Sequence, residues 1–280
     1  MDVLLFIKAF IISIIEGITE FLPISSTGYM VLSADIINFW DKDKRDLFIV
    51  FVQIGAILAV IYDYWGRLWT AFMGLITGRA DGMTNPRRLG ISLIITTIPV
   101  MIVGLTLEDF ITGTLFHPLV VAIMLIIGAL LIIYVEKHPR PIKAQEAEQI
   151  NFKTALKIGL CQCLALIPGT SRSGATIIGA LWFGVSRKAA TEFSFFLGIP
   201  VIIGAGLLEL IDKKDLLQTG QDWAVLGVGT LVSFVVALLC IRLLVAWVST
   251  KDFMIFAYLR IITGVIVLLA YFVLGYQIKG

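Results

Sequence analysis

A chain of 280 residues with 59% hydrophobic and only 15% charged content, at a mean hydropathy of +0.96, falls outside the ordinary soluble class and reads as an integral membrane protein. Its formal net charge of +2, with no basic stripe interleaved with aromatics, argues against a nucleic-acid partner. Cys161, Cys163 and Cys240 form no metal pattern and read as packing residues.

A spanning helix needs about 20 mostly apolar residues. The first apolar region, 3–36, lacks the basic flank and small-residue cleavage site of a removable signal and is expected to be retained. It is broken at Pro23-Ile-Ser-Ser-Thr-Gly28 and reads as two half-length helices joined by a polar turn. A span is expected at 47–65, carrying Gln53. The 66–89 connection then holds Arg67, Arg79, Arg87 and Arg88. Spans at 90–110 and 118–135 follow, separated by a 108–117 loop with Glu108 and Asp109 but no Lys or Arg. The 136–153 stretch, rich in charge and proline, carries Lys137, Arg140, Lys143 and Lys153. Region 152–185 is broken at Pro168-Gly-Thr-Ser-Arg-Ser-Gly174, again into two short helices. Arg187 and Lys188 precede a span at 189–210, which qualifies once Glu192 is tolerated. The last spans are 224–247 and 254–275, with Arg260 inside the second.

The two breaks align without a gap at an offset of 145, Pro23 on Pro168, Ser25 on Thr170 and Ser26 on Ser171. Each is followed by three spans. An odd number of crossings per half makes the halves inverted across the membrane, an architecture in which binding sites form at the repeat interface. The expected fold is therefore an all-α polytopic membrane protein of six transmembrane helices plus two re-entrant helical hairpins. Its parts are a first repeat at 1–135, a linker at 136–151 and a second repeat at 152–280. Lys and Arg accumulate in short cytoplasmic loops, which puts 66–89, the linker and Arg187-Lys188 inside, and both termini and the first hairpin's entry outside.

Glu16 and Glu20 are spaced i, i+4, on one helical face and about 6 Å apart at Cβ. In a soluble helix such a pair is a solvated face. At membrane depth it points to catalysis, metal binding or proton handling. Ser25, Ser26 and Thr27 stand where a helix begins, so their hydroxyls can cap it, and the same helix start presents N–H groups to an anion. Around the second break, Arg172 lies among Thr170, Ser171 and Ser173 with Gly169 and Gly174 beside it. A guanidinium among hydroxyls and closely approachable backbone suits phosphate, although a structural ion pair from Arg172 to Glu16 or Glu20 explains it as well. Gln53 and Glu192 follow each hairpin and could hydrogen-bond the loops from behind. His117 and His138 are placed too far apart for a Ser-His-Asp triad or a histidine zinc site.

EGITEFLPISSTG at 16–28, QIGAIL at 53–58 and LIPGTSRSGAT at 166–176 closely resemble the undecaprenyl-diphosphatase (bacitracin-resistance) family, over essentially the whole chain. The resemblance implies a bacterial plasma-membrane enzyme that removes one phosphate from undecaprenyl diphosphate, recycling the lipid carrier for peptidoglycan synthesis and conferring bacitracin resistance. It implies a divalent cation, Mg2+ or Ca2+, as cofactor, which two carboxylates and diphosphate oxygens fit. The family's acidic pair falls on Glu16 and Glu20, its hydroxyls on Ser25, Ser26 and Thr27, and its phosphate loop on Ser171, Arg172, Ser173 and Thr176. The expected reaction has Ser26 as nucleophile, Glu20 as its base, Glu16 with Glu20 on the cation, and Arg172 with the Ser171–Gly174 backbone on the phosphoryl group, at a pocket opening outward.

Most members read Ser-Thr-Gly-His where this chain reads Ser-Thr-Gly-Tyr. Tyr29, with a reference pKa of about 10, is a poor base at neutral pH and is expected to donate to a phosphate oxygen or the leaving group. A lipid-phosphate translocase fits the same architecture, as does a non-catalytic headgroup receptor. The sequence does not fix the oligomeric state, a homodimer included.

Overall fold

The computed structural model describes residues 2–78, 85–110 and 117–274. Among these the chain is helical: α1 (Val3–Thr19), α2 (Ser26–Ile36), α3 (Lys42–Asp63), α4 (Trp65–Thr77), α5 (Pro86–Phe110), α6 (Pro118–Lys137), α7 (Phe152–Cys163), α8 (Arg172–Trp182), α9 (Arg187–Lys213), α10 (Gly220–Val248) and α11 (Met254–Leu274). Six of them, α3, α5, α6, α9, α10 and α11, are long and apolar enough to cross a membrane. These are the six expected spans, several of them lengthened into polar first turns. Asp41 accepts from the Lys44 N–H, Ser186 from Ala189, and Thr219 forms a capping box with Asp222. Apolar windows register the hydrocarbon core and miss such turns. Arg79, the side chains of Glu108 and Asp109, and the C-terminus beyond 274 lie outside the described residues.

Both breaks fall where proline and the hydroxyl runs place them. α1 stops at Thr19 and α2 starts at Ser26, whereas α7 stops at Cys163 and α8 starts at Arg172. The helices around them are unequal, since α1 has 17 residues and the other three have 11 or 12. Their caps correct the gapless register. Ser25 and Ser171, at φ 78° and 73°, cap α2 and α8 and stand 146 positions apart. Gly169, at φ 90°, takes up the extra position, and a Cβ there would lie 2.5 Å from the Val121 carbonyl oxygen.

The 66–89 connection is not a simple loop. Residues Trp65, Trp69, Phe72 and Ile76 recur at helical spacing on α4, all exposed, with Trp65 and Trp69 stacked at 5.9 Å. An apolar face of this kind suits a helix lying along a membrane surface. At 13 residues it is shorter than the run of about 20 that marks a spanning helix.

In the packed molecule α3 lies against α9 and α10, α1 against α10, α5 against α7, and α6 against α11. The main core includes Phe21, Ile57, Phe195 and Phe196, with Phe21 and Phe195 edge to face at 4.8 Å. The linker is bound down. The Lys143 N–H donates to the Gly184 carbonyl at 2.7 Å, and the Ser186 N–H to the Ala144 carbonyl at 2.9 Å. Glu136 accepts from Arg187 and from the Phe253 N–H.

What places the two breaks against each other is Arg260, on α11 and 1% exposed. Its guanidinium donates to five carbonyls: Leu125 and Met124 of α6, Pro23 of the first break, and Gly169 and Thr170 of the second, all at 3.0–3.1 Å. Room for it is made by Gly128, where a Cβ would lie 2.1 Å from Nη2. Arg260 thus serves the carbonyls of both loops and makes no ion pair among the described residues. Replacing it (Arg260→Met) strips both loops of a buried donor and should cost on the order of 3 kcal/mol, read as a fall in the thermal unfolding midpoint. Gly128→Ala should lower the midpoint through the same contact, so that the double variant is no worse than Arg260→Met alone; additive losses would contradict the assignment.

Candidate active site

The Ser26 hydroxyl, at the start of α2, donates to Glu20 Oε2 at 2.6 Å. Glu20, in the first turn of the break, accepts on its other oxygen from Arg172 Nη2 at 2.7 Å. One carboxylate thus joins a hydroxyl of the first break to the guanidinium of the second. Arg172 is held from behind by the Ser194 carbonyl on α9, 2.6 Å from Nη1. Gly198, one helical turn further on, leaves the space, since a Cβ there would lie 2.9 Å from Nη2.

The second loop is knitted by its own hydroxyls. Ser171 accepts from the Gly174 N–H at 3.1 Å and caps α8, and Ser171 and Ser173 lie 3.1 Å apart. Ser173 donates to the Leu22 carbonyl at 2.9 Å, a direct bond between the two breaks. Thr176 Oγ1 lies 2.8 Å from Ser194 Oγ and 3.0 Å from the Arg172 carbonyl. The N-termini of α2 and α8 therefore meet at one place, each behind a serine in the left-handed region. Two helix N-termini with their free N–H groups make a setting for an anion. Left-handed serines cost of order 1–3 kcal/mol each and cluster at functional sites.

Several polar atoms in this cluster have no protein partner. Both carboxylate oxygens of Glu16, fully buried one turn before Glu20, lack a hydrogen bond, as do Arg172 Nε and Thr170 Oγ1. Buried groups of this kind are normally satisfied. A carboxylate with open lone pairs beside a second one fits a hard cation, while a guanidinium N–H and a hydroxyl fit phosphate oxygens. Among the described residues no group of three or more His, Cys, Asp and Glu side chains gathers to hold a metal. A cation here would need oxygens from a ligand.

Glu16, Glu20, Ser25, Ser26, Ser171, Arg172, Ser173, Gly174 and Thr176 are thus brought together. Ser25 serves as a helix cap with no side-chain capping bond. Thr27 is exposed and has no side-chain hydrogen bond among the described residues. Tyr29 does not reach the Glu20–Ser26 pair; its hydroxyl lies 2.6 Å from Thr263 Oγ1 on α11. Gln53 donates to the Ile49 carbonyl of its own helix and not to either loop. Glu192 is also elsewhere, accepting from Arg67 Nη1 at 2.7 Å in a network that includes Glu148 of the linker. Burial disfavours charge on Arg67, but those two carboxylates more than offset it and hold the guanidinium above its ordinary pKa. The residue of α9 that does reach the site is Ser194. Two positions on from Glu192, it points about 200° around the helix, which is why the more conspicuous polar residue was the wrong one to choose.

A family model described as the bacitracin resistance protein BacA matches residues 9–266. The undecaprenyl-diphosphatase of Psychrobacter arcticus is 71% identical over 280 residues, covering 100% of both chains. Undecaprenyl-diphosphatase 1 of Acinetobacter baylyi is 58% identical over 96% of this chain and 97% of its own, and undecaprenyl-diphosphatase 1 of Chromobacterium violaceum is 48% identical over 92% and 93%.

The unpartnered Glu16 carboxylate should lower stability when no ligand is bound. Glu16→Gln removes a buried ionisable group beside Glu20 and is expected to stabilise the protein in detergent without divalent cations by about 1–2 kcal/mol, read as a higher unfolding midpoint. An unchanged or lower midpoint would show that Glu16 is already satisfied.

Proposed function

We propose that this chain, which belongs to the BacA bacitracin resistance protein family, hydrolyses undecaprenyl diphosphate to undecaprenyl phosphate and phosphate in a bacterial plasma membrane, at a pocket opening outward. The observation that carries the reading is the continuous contact Ser26–Glu20–Arg172, linking a hydroxyl, a base and a cation across two chain segments beside an unpartnered carboxylate.

The terminal phosphorus is attacked by Ser26 Oγ while Glu20 takes its proton at Oε2, a separation within general-base reach. The bond to the bridging oxygen breaks, Glu20 passes the proton it took from Ser26 to the leaving phosphate oxygen and so returns to the carboxylate, and undecaprenyl phosphate leaves. The phosphoryl group on Ser26 is then released by water activated at Glu20. Arg172 Nε and the N–H groups at the start of α8 receive the non-bridging oxygens, the dominant form of catalysis for phosphoryl transfer. Glu16, with Glu20, would hold Mg2+ or Ca2+, which supplies charge neutralisation to the diphosphate. Arg172 meanwhile has a role before substrate arrives, since its bond to Glu20 Oε1 leaves Oε2 aimed at Ser26.

Corresponding elements of the two halves pack on each other, α3 on α9 and α6 on α11, while α1 meets α10 as α7 meets α5. This arrangement favours an inverted two-fold repeat and keeps a translocase as the second reading.

Purified protein should release phosphate from undecaprenyl diphosphate with magnesium and not without it. Ser26→Ala and Arg172→Ala should each lower kcat/KM by about 10²–10⁴-fold, and Gly198→Ala should approach the Arg172 variant by displacing the same guanidinium. Undiminished release in the Ser26 and Arg172 variants would sink the mechanism, and headgroup movement across vesicles without hydrolysis would favour the translocase. Because the Tyr29 hydroxyl is engaged by Thr263, Tyr29→Phe should change hydrolysis less than about threefold while losing about 1 kcal/mol of stability. A larger loss of turnover would restore Tyr29 to the chemistry.

A further inference from the structure

A cleft of about 450 Å3 lies away from the Glu20–Ser26 pair and shares no residue with it. Its walls are the linker and the first turns of α7, closed by the end of α8. Arg140, Lys143, Lys153 and Lys157 line it, and no carboxylate does. None of these four cations has an ion pair among the described residues, whereas Arg67, Arg172, Arg187 and Arg242 are each matched to an acid. Two of the four rest on aromatic rings: the Arg140 guanidinium lies 3.9 Å from the Trp182 ring centroid, and Lys157 Nζ 5.0 Å from that of Phe183. Four like charges gathered in one concavity repel one another and favour an anion between them. The cavity is not a loose loop, for the linker is hydrogen-bonded to the turn after α8 on one edge of it.

Trp182 is also a wall of an adjoining groove of about 320 Å3, lined almost wholly by apolar atoms. The groove passes Leu131, Tyr134, Ile178 and Leu164 and ends at Thr170, Gly174 and Arg260, beside the second loop. An apolar channel joined to a cluster of cations matches a molecule with an anionic head and an apolar chain. A phosphomonoester carries about −1.5 to −2 charge at neutral pH, against −1 for a phosphodiester, and four cations favour the former. A groove of about 320 Å3 suits one apolar chain rather than two.

We infer that the cavity of Arg140, Lys143, Lys153 and Lys157, with the groove beyond Trp182, is a second binding site for a single-chain lipid phosphomonoester, distinct from the hydrolytic centre. The inference rests on the proposed reaction only in that such a lipid would be its product; the site itself can be tested without turnover.

The probe is farnesyl monophosphate, titrated calorimetrically into the full chain in phosphatidylcholine nanodiscs. Binding should persist in Arg172→Ala and weaken at least tenfold in Lys143→Gln/Lys153→Gln/Lys157→Gln. It should survive the charge-matched control Lys42→Gln/Lys188→Gln/Lys251→Gln, whose lysines are exposed and lie outside the cavity. Binding lost in Arg172→Ala and kept in the triple variant would assign it to the catalytic loops and overturn the inference. So would equal affinity for inorganic phosphate, which needs no groove, or for phosphatidylglycerol, which needs no dianion. Failure of undecaprenyl diphosphate hydrolysis would leave these outcomes unchanged.

Discussion

A guanidinium buried among five carbonyls is the constraint on which this molecule depends. Each break in a membrane helix leaves carbonyls that hydrocarbon cannot satisfy, and Arg260 collects three of them, at Pro23, Gly169 and Thr170, together with two from α6. An arginine without a carboxylate is costly in such a place. Here its charge is spread over five partial charges, which satisfies the donor and the acceptors together. The geometry then follows, because loops fixed to one planar group cannot drift relative to one another.

With the breaks fixed, Glu20 can be shared. Its two oxygens receive a hydroxyl from one loop and a guanidinium from the other, so the nucleophile's orientation depends on residues 146 positions further along. The arrangement also answers the choice between an ion pair and a phosphate site. Arg172 makes the ion pair, yet only two of its nitrogens are used, and Nε is left for a ligand. The ion pair and a free donor for phosphate are therefore compatible in the one residue.

Much of this was legible because the chemistry was concentrated in short motifs. Glu16, Glu20, Ser26 and Arg172 are conspicuous in apolar surroundings, and helix breaks announce themselves through proline and hydroxyl runs. What escaped was whatever depends on packing between distant elements. Gly128 and Gly198 carry no side chain to notice, and they matter only because an arginine lies 2–3 Å from where a Cβ would be. Ser194 was overshadowed by Glu192, two positions away on the opposite face. α4, at 13 residues, falls short of a span and shows only through the periodicity of its exposed apolar face, and the one-residue shift between Ser25 and Ser171 lies in backbone angles.

Glu16 is the residue whose position the fold does least to justify. Glu20, Ser26, Arg172, Ser173 and Thr176 each have a side-chain hydrogen bond, yet neither oxygen of this fully buried carboxylate accepts one from a donor among the described residues. If the pocket were built for stability alone, an apolar residue at 16 would pack as well and avoid the desolvation. The chemistry that would satisfy this cluster is constrained on two sides: positive charge toward Glu16, and anionic oxygens toward Arg172 and the paired helix N-termini. A cation already coordinated to a diphosphate meets both requirements at once, which a free metal ion or a free phosphate does not.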